Sequence, residues 1–211
     1  MSMIASQFGR PRGPMGRLVG RLMARSNAPF SVWVVSEIRK AYPNEASRIV
    51  ELGSGPGVGL QETLRLFPSA QVWGVDPSRE MLSQAGKRNA SAIKTGRLSL
   101  VPGDPSSLES LEPVDIVFAN HVLYFWHEPV KELQRLAQAV RSGGLVGLGF
   151  QLKANMPSMA QIQFPRLGHI LYDTEGDVEA LFRDAGLRSV AHRVKGSSER
   201  QEGRLTFAVT E

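Results

Sequence analysis

The sequence contains no cysteine among its 211 residues. Disulfide bonds, thiolate metal sites and a cysteine nucleophile are therefore excluded. It also lacks any apolar run of the roughly 18 residues that a membrane-spanning helix requires. The N-terminus shows no continuous apolar core of a secretory signal, and no spacing of histidine and acidic residues predicts a metal site. These absences indicate a globular protein of a reducing compartment, which we expect to be cytoplasmic.

Acidic residues are missing from the start of the chain. Residues 1–40 carry seven basic side chains and one acidic one, whereas the rest of the chain carries 18 basic and 19 acidic side chains. The basic character therefore belongs to one segment, and residues 1–45 are predicted to form a basic helical arm. Three roles are open for it: a cap over a pocket, a peripheral anchor on anionic membrane and a targeting peptide. Nucleic-acid binding ranks last, because the rest of the chain is nearly neutral.

Two helices are predicted within this arm. Pro29 is expected to separate them, and the second uses Val32, Trp33 and Ile38. As a cap, the first helix places Met15 on the substrate side. The apolar residues of the first helix recur at helical spacing at Met15, Leu18, Val19, Leu22 and Met23.

From Arg48 onward, short β-rich runs alternate with helical segments. This alternation predicts a Rossmann-like, doubly wound and mostly parallel sheet over residues 46–211. One helix is expected to end at Gly143-Gly144, and another to begin with a capping box at Thr174 and Asp177. Residues 151–173 are expected to be an insertion on the substrate side. The β-rich runs are "RIVEL", "QVWGV", "LSLV", "VDIVF" and "LVGLGF", and "RSVAHRVKG" with "RLTFAVT" predicts a terminal antiparallel hairpin.

A glycine-rich turn follows the first of these runs, in "RIVELGSGPGVGL". Such a turn is either a tight connection without a ligand or a ligand loop at the carboxyl end of a strand. The dinucleotide fingerprint G-x-G-x-x-G would need a third glycine where Val58 stands. Glu51, two residues before the first glycine, suits a cationic ligand better than a pyrophosphate. The residues therefore favour a close-packed, cationic ligand over an anionic one.

These residues resemble a known family. "VELGSGPG" resembles the first motif of the class I S-adenosylmethionine-dependent methyltransferases. "VWGVDPSREML", "LVPGDPSSL", "VDIVFANHVLYFW" and "LQRLAQAVRSGGLVGLGF" resemble the family's later motifs in the same order. The resemblance covers residues 48–150 and implies S-adenosylmethionine as cofactor and a Rossmann-like fold.

The same resemblance implies a role for each matching residue. The glycine loop would line the methionine portion of the cofactor, with Glu51 at its ammonium group. Asp76 would accept hydrogen bonds from the ribose, and Asp104 from the adenine amino group. The cofactor-binding residues implied in this way are Glu51, Gly53, Ser54, Gly55, Gly57, Asp76, Pro77, Met81, Gly103, Asp104, Pro105, Asn120 and His121.

One position departs from the family pattern. Pro105 stands where the family often donates a backbone N–H to the adenine ring, and proline has no N–H to donate. That hydrogen bond is either missing or supplied by Ser106.

The loop "NHVLYFWHEP" holds the candidates for chemistry. His121, Tyr124 and His127 are the candidate catalytic residues, since a histidine of near-neutral pKa can take a proton from a hydroxyl or amine. Tyr124 and Trp126 are also candidates for the wall of a flat, apolar substrate pocket. The alternative is that these aromatic residues belong to the core and that His121 only packs against the cofactor.

The predicted function is methyl transfer to a small, hydrophobic or aromatic molecule. Two alternatives stay open: a nicotinamide-dependent oxidoreductase on a Rossmann sheet, and a non-catalytic binding protein on the methyltransferase fold. The sequence predicts no oligomeric state.

Overall fold

The computed structural model describes residues 13–188, 190–197 and 201–211, with side chains from Arg25 onward. The chain groups into two compact units, of which the first ends at Ser107 and the second runs from Leu108 to Glu211.

The first unit joins parallel strands through helices. Its β1 pairs with β2, and β2 pairs with β3, each in parallel. The helix that precedes β1 packs against the two helices that follow β1 and β2. The elements are α1 (Gly13–Ala41), β1 (Arg48–Leu52), α2 (Val58–Leu66), β2 (Gln71–Asp76), α3 (Arg79–Arg88), α4 (Ala90–Lys94) and β3 (Leu98–Pro102).

A single helix replaces the two helices predicted for the arm. α1 continues through Pro29, so the prediction of a second helix after this residue is wrong. Pro29 is exposed, so the Arg25 carbonyl that loses its helical partner can bind water. The buried face beside it, made by Phe30, Val34, Val35 and Ile38, supplies the packing that stabilises the helix.

The beginning of the arm lies mostly outside the residues that the structure describes. Gly13 and Pro14 are the first two residues of α1, in the first turn, where proline is tolerated. Met15 lies in α1, and its side chain is outside the described residues, as is everything before residue 13. The cap role of residues 1–45 and their separation from 46–211 stay predictions.

The second unit adds one parallel pair and a hairpin. β4 pairs with β5 in parallel, and β7 pairs in antiparallel fashion with both β5 and β6. The elements are β4 (Val114–Asn120), α5 (Pro129–Ala139), β5 (Val140–Phe150), α6 (Ser158–Arg166), α7 (Glu175–Asp184), β6 (Val190–Gly196) and β7 (Gln201–Val209).

In the described part of the chain, the sheet has seven strands in the order β3-β2-β1-β4-β5-β7-β6. This order confirms the predicted doubly wound, mostly parallel sheet with a terminal antiparallel hairpin. Within the described residues, none of the helices has both the length and the apolar character of a membrane span.

Local signals were correct at one helix and wrong at another. Thr174 and Asp177 form the predicted capping box of α7. The helix predicted to end at Gly143-Gly144 stops instead at Ala139, because Val140 already pairs with Val114 and extends β5. The unassigned residues 151–173 hold a short 3₁₀ turn and α6, and their role as an insertion stays a prediction.

Candidate functional site

The loop after β1, residues 53–57, contains three glycines in the left-handed backbone conformation. Gly53, Gly55 and Gly57 have φ angles of 65°, 51° and 79°, a region that glycine enters without the penalty that a side chain imposes. This backbone conformation explains why glycines recur at every second position.

The loop donates its backbone N–H groups to the protein itself. Gly53 and Ser54 both donate to the Val75 carbonyl, at 2.7 and 3.1 Å. Gly55 donates to Asp76 Oδ2 at 2.8 Å, and Gly57 donates to the Ser54 carbonyl at 3.0 Å. The remaining loop residue is a proline. Phosphate-binding loops need N–H groups aimed at the ligand, so this loop is not built to cradle a pyrophosphate.

A buried carboxylate occupies the start of the following helix. Glu51, in β1, is 2% exposed, and a Cβ added at Gly59 would lie 2.1 Å from its Oε1. Gly59 is the second residue of α2, where the helix dipole favours negative charge. The Glu51 carboxylate therefore lies beside the first turn of α2, and its negative charge disfavours an anionic ligand at this position.

Gly59 itself was missed in the sequence analysis. The signal was present, because the alternation of glycines that begins at Gly53 continues to this residue.

Asp76, at the end of β2, has two backbone partners. Its Oδ2 accepts from Gly55 and its Oδ1 accepts from the Ser78 N–H, both at 2.8 Å. Burial raises the pKa of this carboxyl, and the two backbone hydrogen bonds partly offset the shift. Ser78 in turn caps α3 by accepting from the Met81 N–H. Asp76 thus fixes both the glycine loop and the start of α3, and each oxygen keeps a second acceptor site.

Asp104 is an exposed residue with a local role. Its Oδ1 accepts from the Ser106 N–H at 3.0 Å and from the Ser106 hydroxyl at 2.6 Å. The Ser106 N–H is thereby used within the protein. Pro105 is buried, and a Cβ on Gly103 would lie 2.0 Å from Ser107 Oγ. Of the two remaining predicted residues, Pro77 is exposed and Met81 is buried.

The loop is open at Gly55 and closed at Ser54. A Cβ added at Gly55 would have only the Gly53 carbonyl oxygen nearby, at 4.0 Å. The Ser54 hydroxyl is buried and has no hydrogen-bond partner among the described residues. The open space at Gly55 fits a molecule that lies against the loop there, whereas Ser54 Oγ lies 3.1 Å from the position of a Cβ on Gly74, in β2.

In the second unit, β4 ends at Asn120, which is buried, and His121 follows it. His121 has φ 55°, and it is the one non-glycine residue of the described chain in the left-handed region. Its N–H donates to the Gly149 carbonyl at 2.8 Å. Burial lowers the pKa of its imidazole to about 4, because the charged form loses hydration. His121 is therefore neutral at pH 7.

The other candidate side chains differ in their surroundings. The Tyr124 hydroxyl binds the backbone of Gln151: it accepts from the N–H and lies 3.2 Å from the carbonyl. Burial raises the pKa of this phenol, so Tyr124 stays protonated. Trp126 is buried and His127 is exposed. A pKa of about 4 makes His121 a weaker base than the near-neutral histidine expected from the sequence, and the protonated Tyr124 is not a base at pH 7.

An aromatic cluster ties residues 151–173 to the loop after β4. Phe164, in α6, lies 6.0 Å from Tyr124 and 5.5 Å from Phe125 between ring centroids. His169 meets Phe125 edge-on at 4.8 Å, and the Ile170 N–H donates to the Tyr124 carbonyl at 3.0 Å. Sequence analysis missed Phe125, Phe164 and His169, because nothing in their spacing links them.

Comparison with known proteins supports one family. Residues 50–148 match the model of a methyltransferase domain. The chain is 28% identical over 127 residues to trans-aconitate 2-methyltransferase of Streptomyces avermitilis, covering 60% of this chain and 46% of that protein. The chain thus spans about half the length of the curated relatives it matches.

Solved structures show the same fold. An O-methyltransferase family protein from Burkholderia thailandensis has a TM-score of 0.74 at 22% identity. The match covers 93% of this chain and 60% of the Burkholderia chain. The magnesium protoporphyrin IX methyltransferase from Synechocystis PCC 6803, solved with bound S-adenosylhomocysteine, has a TM-score of 0.65 at 17% identity. That match covers 88% of this chain and 83% of the Synechocystis chain.

Two glycines at the same helical position should respond oppositely to alanine. Gly59→Ala forces a methyl group onto the Glu51 carboxylate, and we expect it to lower the free energy of unfolding by about 1–2 kcal/mol. Gly176, the second residue of α7, is the control, because its added Cβ meets only Thr174 Oγ1 at 3.6 Å. Gly176→Ala should be neutral or stabilising by up to about 1 kcal/mol. Urea denaturation measures both, and a stabilising Gly59→Ala would contradict the contact with Glu51.

The lowered pKa of His121 should make stability depend on pH. Its folded pKa of about 4 lies below the ordinary value of 6.5, so only the unfolded chain takes up this proton between the two values. Stability should therefore fall as pH drops from 6.5 towards 4, by at most about 3 kcal/mol. His121→Asn keeps a residue that tolerates positive φ and should flatten this part of the curve. Urea denaturation at pH 7, 6, 5 and 4.5 gives the free energy of unfolding of both proteins. If the two curves run parallel, His121 is not the source of this pH dependence.

Proposed function

Because the chain belongs to the class I S-adenosylmethionine-dependent methyltransferase family, we propose that it transfers a methyl group from S-adenosylmethionine to a small, hydrophobic or aromatic acceptor. The observation that carries the proposal is the loop after β1. Its N–H groups are turned inward, and the Glu51 carboxylate lies at the start of α2. This arrangement suits a cofactor with a cationic amino-acid end.

The residues of the first unit fit the parts of this cofactor. When bound, S-adenosylmethionine supplies a methyl group already activated on a sulfonium. Glu51 would favour the ammonium group, and the open side of Gly55 would let the backbone approach closely. Asp76 would accept from the ribose hydroxyls with its remaining acceptor sites. Asp104, which is exposed, would face the adenine amino group.

A nicotinamide dinucleotide fits this loop less well. Its pyrophosphate would need the N–H groups that Gly53, Ser54, Gly55 and Gly57 donate internally, and it would be repelled by Glu51. A non-catalytic protein on the same fold is separated from an enzyme only by a turnover assay, because fold alone does not establish chemistry.

Catalysis in this proposal rests mainly on orientation. An activated methyl donor needs a nucleophile held in line, and positioning can supply much of the rate. His121 is neutral at pH 7, so it can accept a hydrogen bond from an acceptor hydroxyl or amine. Tyr124 would shape the acceptor site, since its hydroxyl is held by Gln151. Trp126 and Met15 remain proposed substrate contacts, and His127 a proposed catalytic residue.

The character of residues 151–173 supports an apolar acceptor. The Streptomyces relative is named for trans-aconitate, a tricarboxylate, which would call for several cationic partners. Lys153 and Arg166 are the only lysine and arginine of this segment. Both are exposed, and Lys153 lies 3.9 Å from Asp173. Aromatic rings line the junction of the segment with the loop after β4, so we propose a neutral acceptor.

Titration with S-adenosylhomocysteine tests the cofactor. We expect micromolar binding in calorimetry, and at about 100 times Kd a gain of about 2.7 kcal/mol in the free energy of unfolding. NADH at the same concentration should give neither effect. Asp76→Asn should raise the Kd at least about tenfold, since hydrogen bonds to a charged group contribute about 1.5–3 kcal/mol. Asp173→Asn, at an exposed acid, is the control, and binding of NADH instead would overturn the proposal.

A methyl-transfer assay tests the acceptor class. With labelled S-adenosylmethionine, we expect turnover on hydroxylated aromatic compounds and none on trans-aconitate. Phe164→Ala removes one ring of the cluster and should raise KM for a productive acceptor about fivefold, the range of one aromatic contact. Met159→Ala changes a 68% exposed residue of the same helix and should leave KM unchanged. Methylation of trans-aconitate in preference to the aromatic panel would refute the neutral acceptor.

A further inference from the structure

We propose that Asn89 is a positioning residue for the cofactor loop, which it holds from the side of α3. The inference rests on the proposed function, since it concerns the loop assigned to S-adenosylmethionine. Asn89 follows the last residue of α3 and is buried. Nothing in the glycine motif points to it, because 32 positions separate it from Gly57.

The Asn89 side chain joins the loop to α3. Its Nδ2 donates to the Gly57 carbonyl at 3.0 Å and to the Ala85 carbonyl at 3.1 Å. A carboxamide nitrogen has two hydrogens, so both are used. One hydrogen bond goes to α3, at Ala85, and the other goes to Gly57, the last residue of the loop.

The loop and α3 are in direct contact at this point. A Cβ added at Gly57 would lie 2.8 Å from both Asn89 Nδ2 and Ala85 Cβ. Arg88 Nε also donates to the Pro56 carbonyl at 3.0 Å, from an exposed position. Two consecutive loop carbonyls, those of Pro56 and Gly57, are therefore turned towards α3.

The orientation of the Gly57 carbonyl affects the site because Gly57 leads directly into α2. Gly57 is the N-cap of α2, and two residues later Gly59 meets the Glu51 carboxylate. If the Gly57 peptide turns, the first turn of α2 shifts and so does the position available to Glu51. A loop that spends part of its time in other conformations binds more weakly by the fraction that is competent. Asn89 thus acts on affinity without contact with the ligand.

Arg97, just before β3, offers a matched control because its side chain binds the other end of α2. Its Nη2 donates to the carbonyls of Leu64 and Phe67, both at 3.1 Å. Like Asn89, it holds two main-chain carbonyls from outside α2. It does so at the opposite end of the helix from the loop, so it shares the structural role and lacks the proposed positioning role.

The experiment compares Asn89→Ala, Asn89→Asp and Arg97→Ala by calorimetric titration with S-adenosylhomocysteine and by thermal unfolding. Asn89→Asp keeps the side-chain volume and removes both donors. We expect both Asn89 variants to raise the Kd about tenfold, and Arg97→Ala to change it less than about twofold at a comparable loss in Tm. Arg88→Ala should give a smaller rise, because its partner bond is exposed.

Each result decides the matter. Asn89 variants that bind as the wild type does, or an Arg97→Ala that weakens binding equally, overturn the positioning role. Failure of both Asn89 variants to fold while Arg97→Ala folds assigns a purely structural role and also overturns it. A wild-type protein that does not bind S-adenosylhomocysteine contradicts the proposed function, and the inference falls with it. A wild type that binds beside unaffected Asn89 variants contradicts the inference alone.

Discussion

The burial of the Glu51 carboxylate at the start of α2 is the constraint on which the first unit depends. Burying a carboxylate is costly unless polar groups surround it, and the amino end of a helix is one of the few places that supply them from the backbone. The carboxylate fits there only because Gly59 has no side chain. The placement of one charge thus determines the residue at the second helical position and the sign of the ligand that the neighbouring loop suits.

The loop beside this carboxylate is held from two sides. Asp76 accepts the Gly55 N–H at the end of β2, and Asn89 donates to the Gly57 carbonyl from α3. The remaining N–H groups of the loop donate to the carbonyls of Val75 and Ser54. A loop whose own hydrogen bonds are complete needs little ordering when a ligand arrives, which lowers the entropic cost of binding. The open side at Gly55 is then the part of the loop left for contact.

The second unit follows a different physical plan. Its loop after β4 contains a strained His121 and a tyrosine held by the backbone of Gln151. α6 and the residues around it are connected to that loop by ring contacts through Phe164 and His169. Burial favours the neutral forms of both His121 and Tyr124. Uncharged, aromatic surroundings suit an apolar molecule better than a polyanion.

The sequence by itself determined the features that depend on neighbouring residues. The β-rich runs, the alternating glycines and the capping box at Thr174 are local patterns, and the order of the motifs was enough to predict the sheet and the family. The tertiary structure alone decided the course of α1 through Pro29, because a buried face outweighs one missing hydrogen bond. It also decided which partners hold the loop. Asn89 and Gly57 lie far apart in the chain and meet only when α3 packs against the loop, and such contacts leave no periodic signal in a sequence.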